Sequence, residues 1–164
     1  MPVAILLNHH VNTVKDITIL ERSNLYGDLA GSTLNKYQSG SNQWNTATWD
    51  NGLKHSVAAW NGWTYGWQEF NNPVDLTKFK TIEFTIDQNT EDSSWGQSVG
   101  RNAYCGIASS KGASFSKSVT WGTSIGTKTI DISTIKGLYY IKTEVAVNNY
   151  ARRIRLIRVR LLTT

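Results

Sequence analysis

Trp44, Trp49, Trp60, Trp63 and Trp67 fall inside one short stretch otherwise rich in Asn, Gly, Thr and Ser. Tryptophan is costly to leave wet, and turn-rich segments normally run over the surface. Aromatic side chains in such polar company either lid a core or form a platform for a flat ligand. A saccharide is one such ligand, because an indole face stacks on its C–H groups while neighbouring amides bind its hydroxyls. Asn61-Gly62 and Tyr65-Gly66 break the helix that the spacing of Trp60, Trp63 and Trp67 suggests. Read as a strand, Trp63, Tyr65 and Trp67 share one face, and Thr64, Gly66, Gln68 and Phe70 share the other. Buried aromatics dominate cores, so Trp63 and Trp67 are expected to pack inward. That leaves the turn-borne Trp49 and Trp60 as surface candidates, beside Asp50 and Asn61. Trp95 joins them from a second polar loop, with Arg101 as a hydrogen-bond donor to hydroxyls. The candidate ligand-binding set is Trp49, Asp50, Trp60, Asn61, Trp63, Tyr65, Trp95 and Arg101.

Other chemistries have less spelling. Gly96-Gln97-Ser98-Val99-Gly100 matches a nucleophile-elbow string, but His9, His10 and His55 all precede Ser98 and no helix follows. Glycoside hydrolysis needs two carboxyls about 5–10 Å apart. Asp50, Glu69, Asp75, Asp87, Glu91 and Asp92 are present without a signature, so no catalytic residue is assigned and the chain reads as a non-enzyme. No Cys/His spacing suits zinc. A structural calcium ion on Asp28, Asp50 or Asp92 would fit a loop-rich β protein, although no D-x-D-x-D loop occurs; no other cofactor is expected. Arg152, Arg153, Arg155, Arg158 and Arg160 crowd the C-terminus and could attract anionic polymers. They lie far in sequence from the tryptophans and no RNP-like string occurs, so nucleic acid is not an expected partner.

The elements that must carry these residues are strands. Ile82, Phe84 and Ile86 alternate with Thr81, Glu83, Thr85 and Asp87, and Tyr139, Ile141, Thr143, Val145 and Val147 alternate with polar neighbours. Residues 11–21 read as a further strand. In the last strand Ile154 and Leu156 share one parity while Ile157, Val159 and Leu161 take the other. A β-bulge at Leu156-Ile157 restores a single apolar face and turns the arginines to solvent. Several strands joined by turns predict an all-β, antiparallel β-sandwich. At 164 residues with a net charge of +5, the chain reads as residues 1–10, a linker, and residues 11–164, a single domain. The lone Cys105 is expected to pack as a small hydrophobe. No segment is apolar over the length a membrane span requires, so no membrane insertion is expected.

Asn72-Pro73-Val74-Asp75-Leu76-Thr77-Lys78-Phe79-Lys80-Thr81-Ile82-Glu83-Phe84 resembles a strand-entry stretch of jelly-roll modules in tail and fibre receptor-binding proteins of phages that infect Gram-positive bacteria. Thr129-Ile130-Asp131-Ile132-Ser133 with Gly137-Leu138-Tyr139-Tyr140-Ile141 resembles a second stretch of those modules, and residues 154–161 resemble their closing strand. The likeness covers most of the chain from about Leu25 onward. It implies a galactose-binding-like, carbohydrate-binding jelly roll located on a virion tail, outside the cell. It also implies host cell-surface polysaccharide and other tail or fibre subunits as partners, with homo-oligomerisation among them. The alternative reading is a structural fibre module without a sugar site. The tryptophan-rich stretch belongs to the variable part of such modules, so the resemblance assigns it no binding residue.

Overall fold

Period-two alternation builds strands here, and the computed structural model describes residues 16–18, 25–29, 44–58, 63–91, 102–148 and 151–164, with side chains within 45–58, 65–90, 102–147 and 151–164. In chain order the strands are β1 (Asp16–Thr18), β2 (Leu25–Leu29), β3 (Trp44–Trp49), β4 (Leu53–Ala58), β5 (Trp63–Phe70) and β6 (Val74–Asp75). They continue with β7 (Thr81–Glu91), β8 (Asn102–Ala108), β9 (Lys117–Thr120), β10 (Gly126–Asp131), β11 (Leu138–Asn148) and β12 (Ala151–Leu162). One sheet runs β10-β7-β12-β4-β3, with β1 on the far half of the β12 edge that β4 shares. The second runs β2-β5-β11-β8-β9, with β6 beside the start of β11. Every described pairing is antiparallel, and the fold is a β-sandwich of jelly-roll type. No described helix is long and apolar enough to cross a membrane.

The core lies between the sheets. Ile82, Phe84, Ile86, Ile154 and Leu156 come from the first sheet, and Ile107, Ile141, Val145 and Val147 from the second. Full burial of each such side chain is worth about 1.5–3 kcal/mol. Cys105 packs among them, and burial pushes its thiol pKa up. The expected bulge is present: register shifts on both sides of Leu156 as β12 passes β7, and Ile154, Leu156, Val159 and Leu161 all reach the core. The β3–β4 turn accommodates it. A Cβ on Gly52 would sit 2.7 Å from the Leu156 carbonyl oxygen and 3.1 Å from Ile157 Cα. Two aspartates cap the turns that precede core strands. Asp75 accepts from the Thr77 N–H at 2.9 Å and Asp131 from the Ser133 N–H at 2.8 Å; hydrogen bonds from the Thr77 and Ser133 hydroxyls, then these N–H bonds, hold both carboxyls below their usual range.

The arginine expectation needs one correction. Arg153, Arg155, Arg158 and Arg160 turn away from the core, where Arg155 binds Asp87 in a bidentate pair (2.7 and 2.8 Å) and Arg160 approaches Glu83 at 3.3 Å. Arg152 is instead buried, at 1% exposure. It shares the parity of Ile154, so it points between the sheets. There its Nε donates to Asn89 Oδ1 at 2.9 Å and its Nη2 to the Gly122 carbonyl. The linker assigned to residues 1–10 lies outside the described residues, and β1 falls inside the strand expected over 11–21.

Candidate functional site

Pairing with β11 fixes which way β5 faces. Gly66 lies opposite Val145 and Gln68 opposite Thr143, and both partners are buried in the sandwich. Tyr65, Trp67 and Glu69 therefore turn outward, opposite Ala146, Glu144 and Lys142. On the other edge of β11, the outward residues Asn102, Tyr104 and Gly106 oppose the same three. Three cross-strand rows result: Tyr65–Ala146–Asn102, Trp67–Glu144–Tyr104 and Glu69–Lys142–Gly106. Strand spacing sets the Trp67 and Tyr104 backbones about 10 Å apart with Glu144 between them. Trp67, Tyr65, Tyr104 and Glu144 are all half-buried. The expectation that Trp67 packs in the core is thus overturned: it stands on the outer face of the second sheet.

A wall borders this platform. Residues 109–116 connect β8 to β9, and two strand side chains hold the connection down. Glu69 accepts from the Gly112 N–H at 3.0 Å, and Lys142 Nζ donates to the Ala113 carbonyl at 2.8 Å. Both side chains are buried, at 0% and 3% exposure. The Lys142 ammonium lies 5.1 Å from the Trp67 ring centroid and 4.9 Å from that of Phe115, which contacts Tyr104 at 6.4 Å between centroids. Desolvation raises the Glu69 and Glu144 carboxyls and lowers the Lys142 ammonium, each opposed by their mutual attraction. Desolvation likewise raises Tyr104, against a hydrogen bond with Asn102.

Beneath the platform, between the sheets, lies a polar network. His55 is fully buried, with Nδ1 2.9 Å from Thr143 Oγ1 and Nε2 2.7 Å from Asn45 Oδ1. Asn45 Nδ2 donates to the Trp67 carbonyl at 2.9 Å, and Gln68 Nε2 donates to Asn45 Oδ1 at 3.1 Å. The amide orientation leaves Oδ1 as an acceptor, so His55 carries its proton on Nε2 and accepts from Thr143 at Nδ1. Burial lowers the His55 pKa from 6.5 to about 3. Gly66 makes room for this network: a Cβ there would overlap Val57 Cγ2 and stand 3.0 Å from Asn45 Oδ1.

The structure brings together only part of the expected set. Tyr65 is on the platform. Trp63 opens β5, but its side chain lies outside the described part, as do Trp60, Asn61, Trp95 and Arg101 in full. Trp49 is half-buried on the other sheet and shares the inward parity of Asn45 and Ala47, opposite Leu53. Asp50 is exposed at the β3–β4 turn, 3.5 Å from Lys54 and 3.7 Å from Arg155. Trp49 and Asp50 therefore do not join Trp67. Sequence reading missed Tyr104, Phe115, Lys142 and Glu144. Their signal was parity, since Tyr104 alternates with the buried Ala103 and Cys105, and Glu144 with Thr143 and Val145. Among the described residues, no three His, Cys, Asp or Glu side chains converge to hold a metal ion.

No family model matches this chain, and no curated protein matches it. Solved structures do resemble it. The module CBM27-1 of Caldicellulosiruptor saccharolyticus, solved in complex with mannohexaose, gives a TM-score of 0.52 at 14% identity, covering 91% of this chain and 97% of that one. The glycoside hydrolase domain of Endo-D from Streptococcus pneumoniae R6 gives 0.50 at 13% identity over 85% of this chain, which spans 22% of that chain's length. TmCBM27, a carbohydrate-binding module described for specific mannan recognition, gives 0.49 at 12% identity, covering 89% and 94%. The likenesses to the first two show the fold alone, a β-sandwich.

Proposed function

We propose that this chain is a carbohydrate-binding adhesion module that takes host cell-surface saccharide on the outer face of its second sheet. The observation that carries this reading is the Trp67–Glu144–Tyr104 row, a half-buried carboxylate flanked by two half-buried aromatics on one rigid sheet. Aromatic faces stack on sugar C–H groups, and a carboxylate between them accepts from hydroxyls. The clamped 109–116 connection, carrying Phe115, walls the site on one side. A place on a phage tail or fibre accords with the resemblance of the Asp75-Leu76-Thr77 and Asp131-Ile132-Ser133 stretches. There, repeated copies and neighbouring subunits would turn one shallow, weak site into avidity.

Hydrolysis is the less favoured reading. Glu69, the other carboxylate among the described side chains of this face, is fully buried and committed to the Gly112 N–H, so it does not flank a glycosidic bond opposite Glu144. The test is a glycan array on the purified chain, followed by calorimetry on wild type and Trp67→Ala. At least one saccharide should bind, and Trp67→Ala should weaken it at least about tenfold, or about 1.4 kcal/mol, with an unchanged circular dichroism spectrum. Equal affinity in the two proteins would remove the platform from the account.

A further inference from the structure

We infer that Glu144 sets the ligand class of this platform: an uncharged, hydroxyl-rich saccharide, with polyanionic glycans and phosphate polymers excluded. The inference rests on the saccharide-binding reading above and deepens it. The net charge of +5 invites the opposite expectation, a polyanion partner. Among the described residues the charges are not distributed that way. Arg153, Arg155, Arg158 and Arg160 stand on the outer face of the first sheet, on the far side of the sandwich from Glu144. Arg155 there is already held by Asp87 and Asp50, and Arg160 by Glu83.

On the platform itself the central ionisable group is a carboxylate. The cation that acts on Glu144 is Lys142, its neighbour two residues away on β11. That ammonium is buried, bonded to the Ala113 carbonyl and enclosed by the Trp67 and Phe115 rings, so it does not face a ligand. Lys111, on the wall, acts on Glu69. Among the described side chains, the other titratable groups around the row are the phenols of Tyr104 and Tyr65, which add hydrogen-bonding capacity and no positive charge. A uronate or phosphate lying on Trp67 would therefore meet a fixed negative charge in a partly desolvated site, where like charges repel more strongly than in water. A neutral sugar instead offers hydroxyl protons, for which an ionised carboxylate is the stronger acceptor.

Calorimetry on the full chain tests this with glucomannan, galactan and arabinoxylan as neutral probes, and polygalacturonate, hyaluronate and polyphosphate as anionic ones. At least one neutral glycan should bind, and a tenfold excess of each polyanion should fail to displace it. Glu144→Gln should weaken neutral binding about tenfold while its melting temperature stays near wild type. Glu144→Asp, which keeps the charge, should still refuse the polyanions. Neutral binding by the wild type should also fall as the pH drops toward the raised Glu144 pKa, and that fall should vanish in Glu144→Gln. Displacement of the neutral glycan by any polyanion, or wild-type affinity in Glu144→Gln, overturns the inference while loss of binding in Trp67→Ala keeps the platform standing. If no glycan binds, or Trp67→Ala binds normally, the platform itself falls and takes this inference with it.

Discussion

The buried His55 should make the fold sensitive to mild acid. In the folded chain its pKa is about 3, against 6.5 for a solvated imidazole, because burial removes the ring from water and disfavours its charged form. Its folded pKa is depressed, so the unfolded chain binds the proton more readily. The neutral-His contribution is therefore complete above about pH 6.5 and is lost progressively as the pH falls toward about 3. Integrating the two titrations gives a loss of about 3 kcal/mol between about pH 7 and about pH 4. For a domain whose total stability is of order 5–15 kcal/mol, that is a large share. Glu69 and Glu144 act with the opposite sign, since their folded pKa values are raised and their contribution grows as they protonate. Asp75 and Asp131 have lowered values and lose their contribution only at lower pH. Comparing wild type with His55→Gln cancels these shared terms. Urea melts at steps between about pH 7 and pH 4 should show wild-type stability falling relative to the variant by about 3 kcal/mol, whatever the offset between them at neutral pH. Parallel pH dependences in the two proteins would refute a neutral, buried imidazole.

The remaining predictions concern packing, the wall and the arginine face. Gly66→Ala should cost about 1–3 kcal/mol in a urea melt, because its Cβ overlaps Val57 and presses on Asn45; an unshifted midpoint would mean β5 does not approach the opposite sheet so closely. Glu69→Ala strips the Gly112 N–H of its acceptor, at a cost of about 1–3 kcal/mol. It should also speed proteolysis within residues 109–116, whereas Glu69→Gln, which keeps an acceptor oxygen, should resist cleavage nearly as well as wild type. Arg155→Ala should shift the urea midpoint only slightly despite its bidentate pair with Asp87, because the pair is partly exposed. That difference should shrink in molar salt.

Strand periodicity made most of the fold legible. The Ile82–Ile86 and Ile141–Val147 alternations, the bulge at Leu156 and the aspartate-capped turns all follow from local patterns of side-chain size and polarity. What periodicity could not supply was the pairing of distant strands. Tyr104, Glu144 and Trp67 are scattered across the sequence, and they become neighbours only because β11 sits between β5 and β8. Phe115 reaches the row through a connection whose anchors, Glu69 and Lys142, look like ordinary solvated charges in sequence. Arg152 shows the converse failure. Its parity places it with Ile154 while its charge suggests solvent, and parity prevails because Asn89 and a carbonyl receive the buried guanidinium.

The inverted face of β5 has the same cause as the acid sensitivity. By polarity, Gly66 and Gln68 belong outside and Trp67 belongs in the core. Gln68 can face inward because Asn45, His55 and Thr143 supply a connected set of partners there. Gly66 can face inward because Val57 and Asn45, reaching across from the first sheet, fill the space a side chain would have taken. Once those two residues are satisfied inside, strand alternation pushes Tyr65 and Trp67 out onto the open sheet. A polar network in a core gives up burial of an indole, and local rules are broken most readily where a surface must present something to a partner. The network and the platform are thus two sides of one strand. Replacing Asn45 or His55 by apolar residues of similar size should relax the preference that keeps Trp67 outward, with a fall in saccharide affinity even in variants that gain stability.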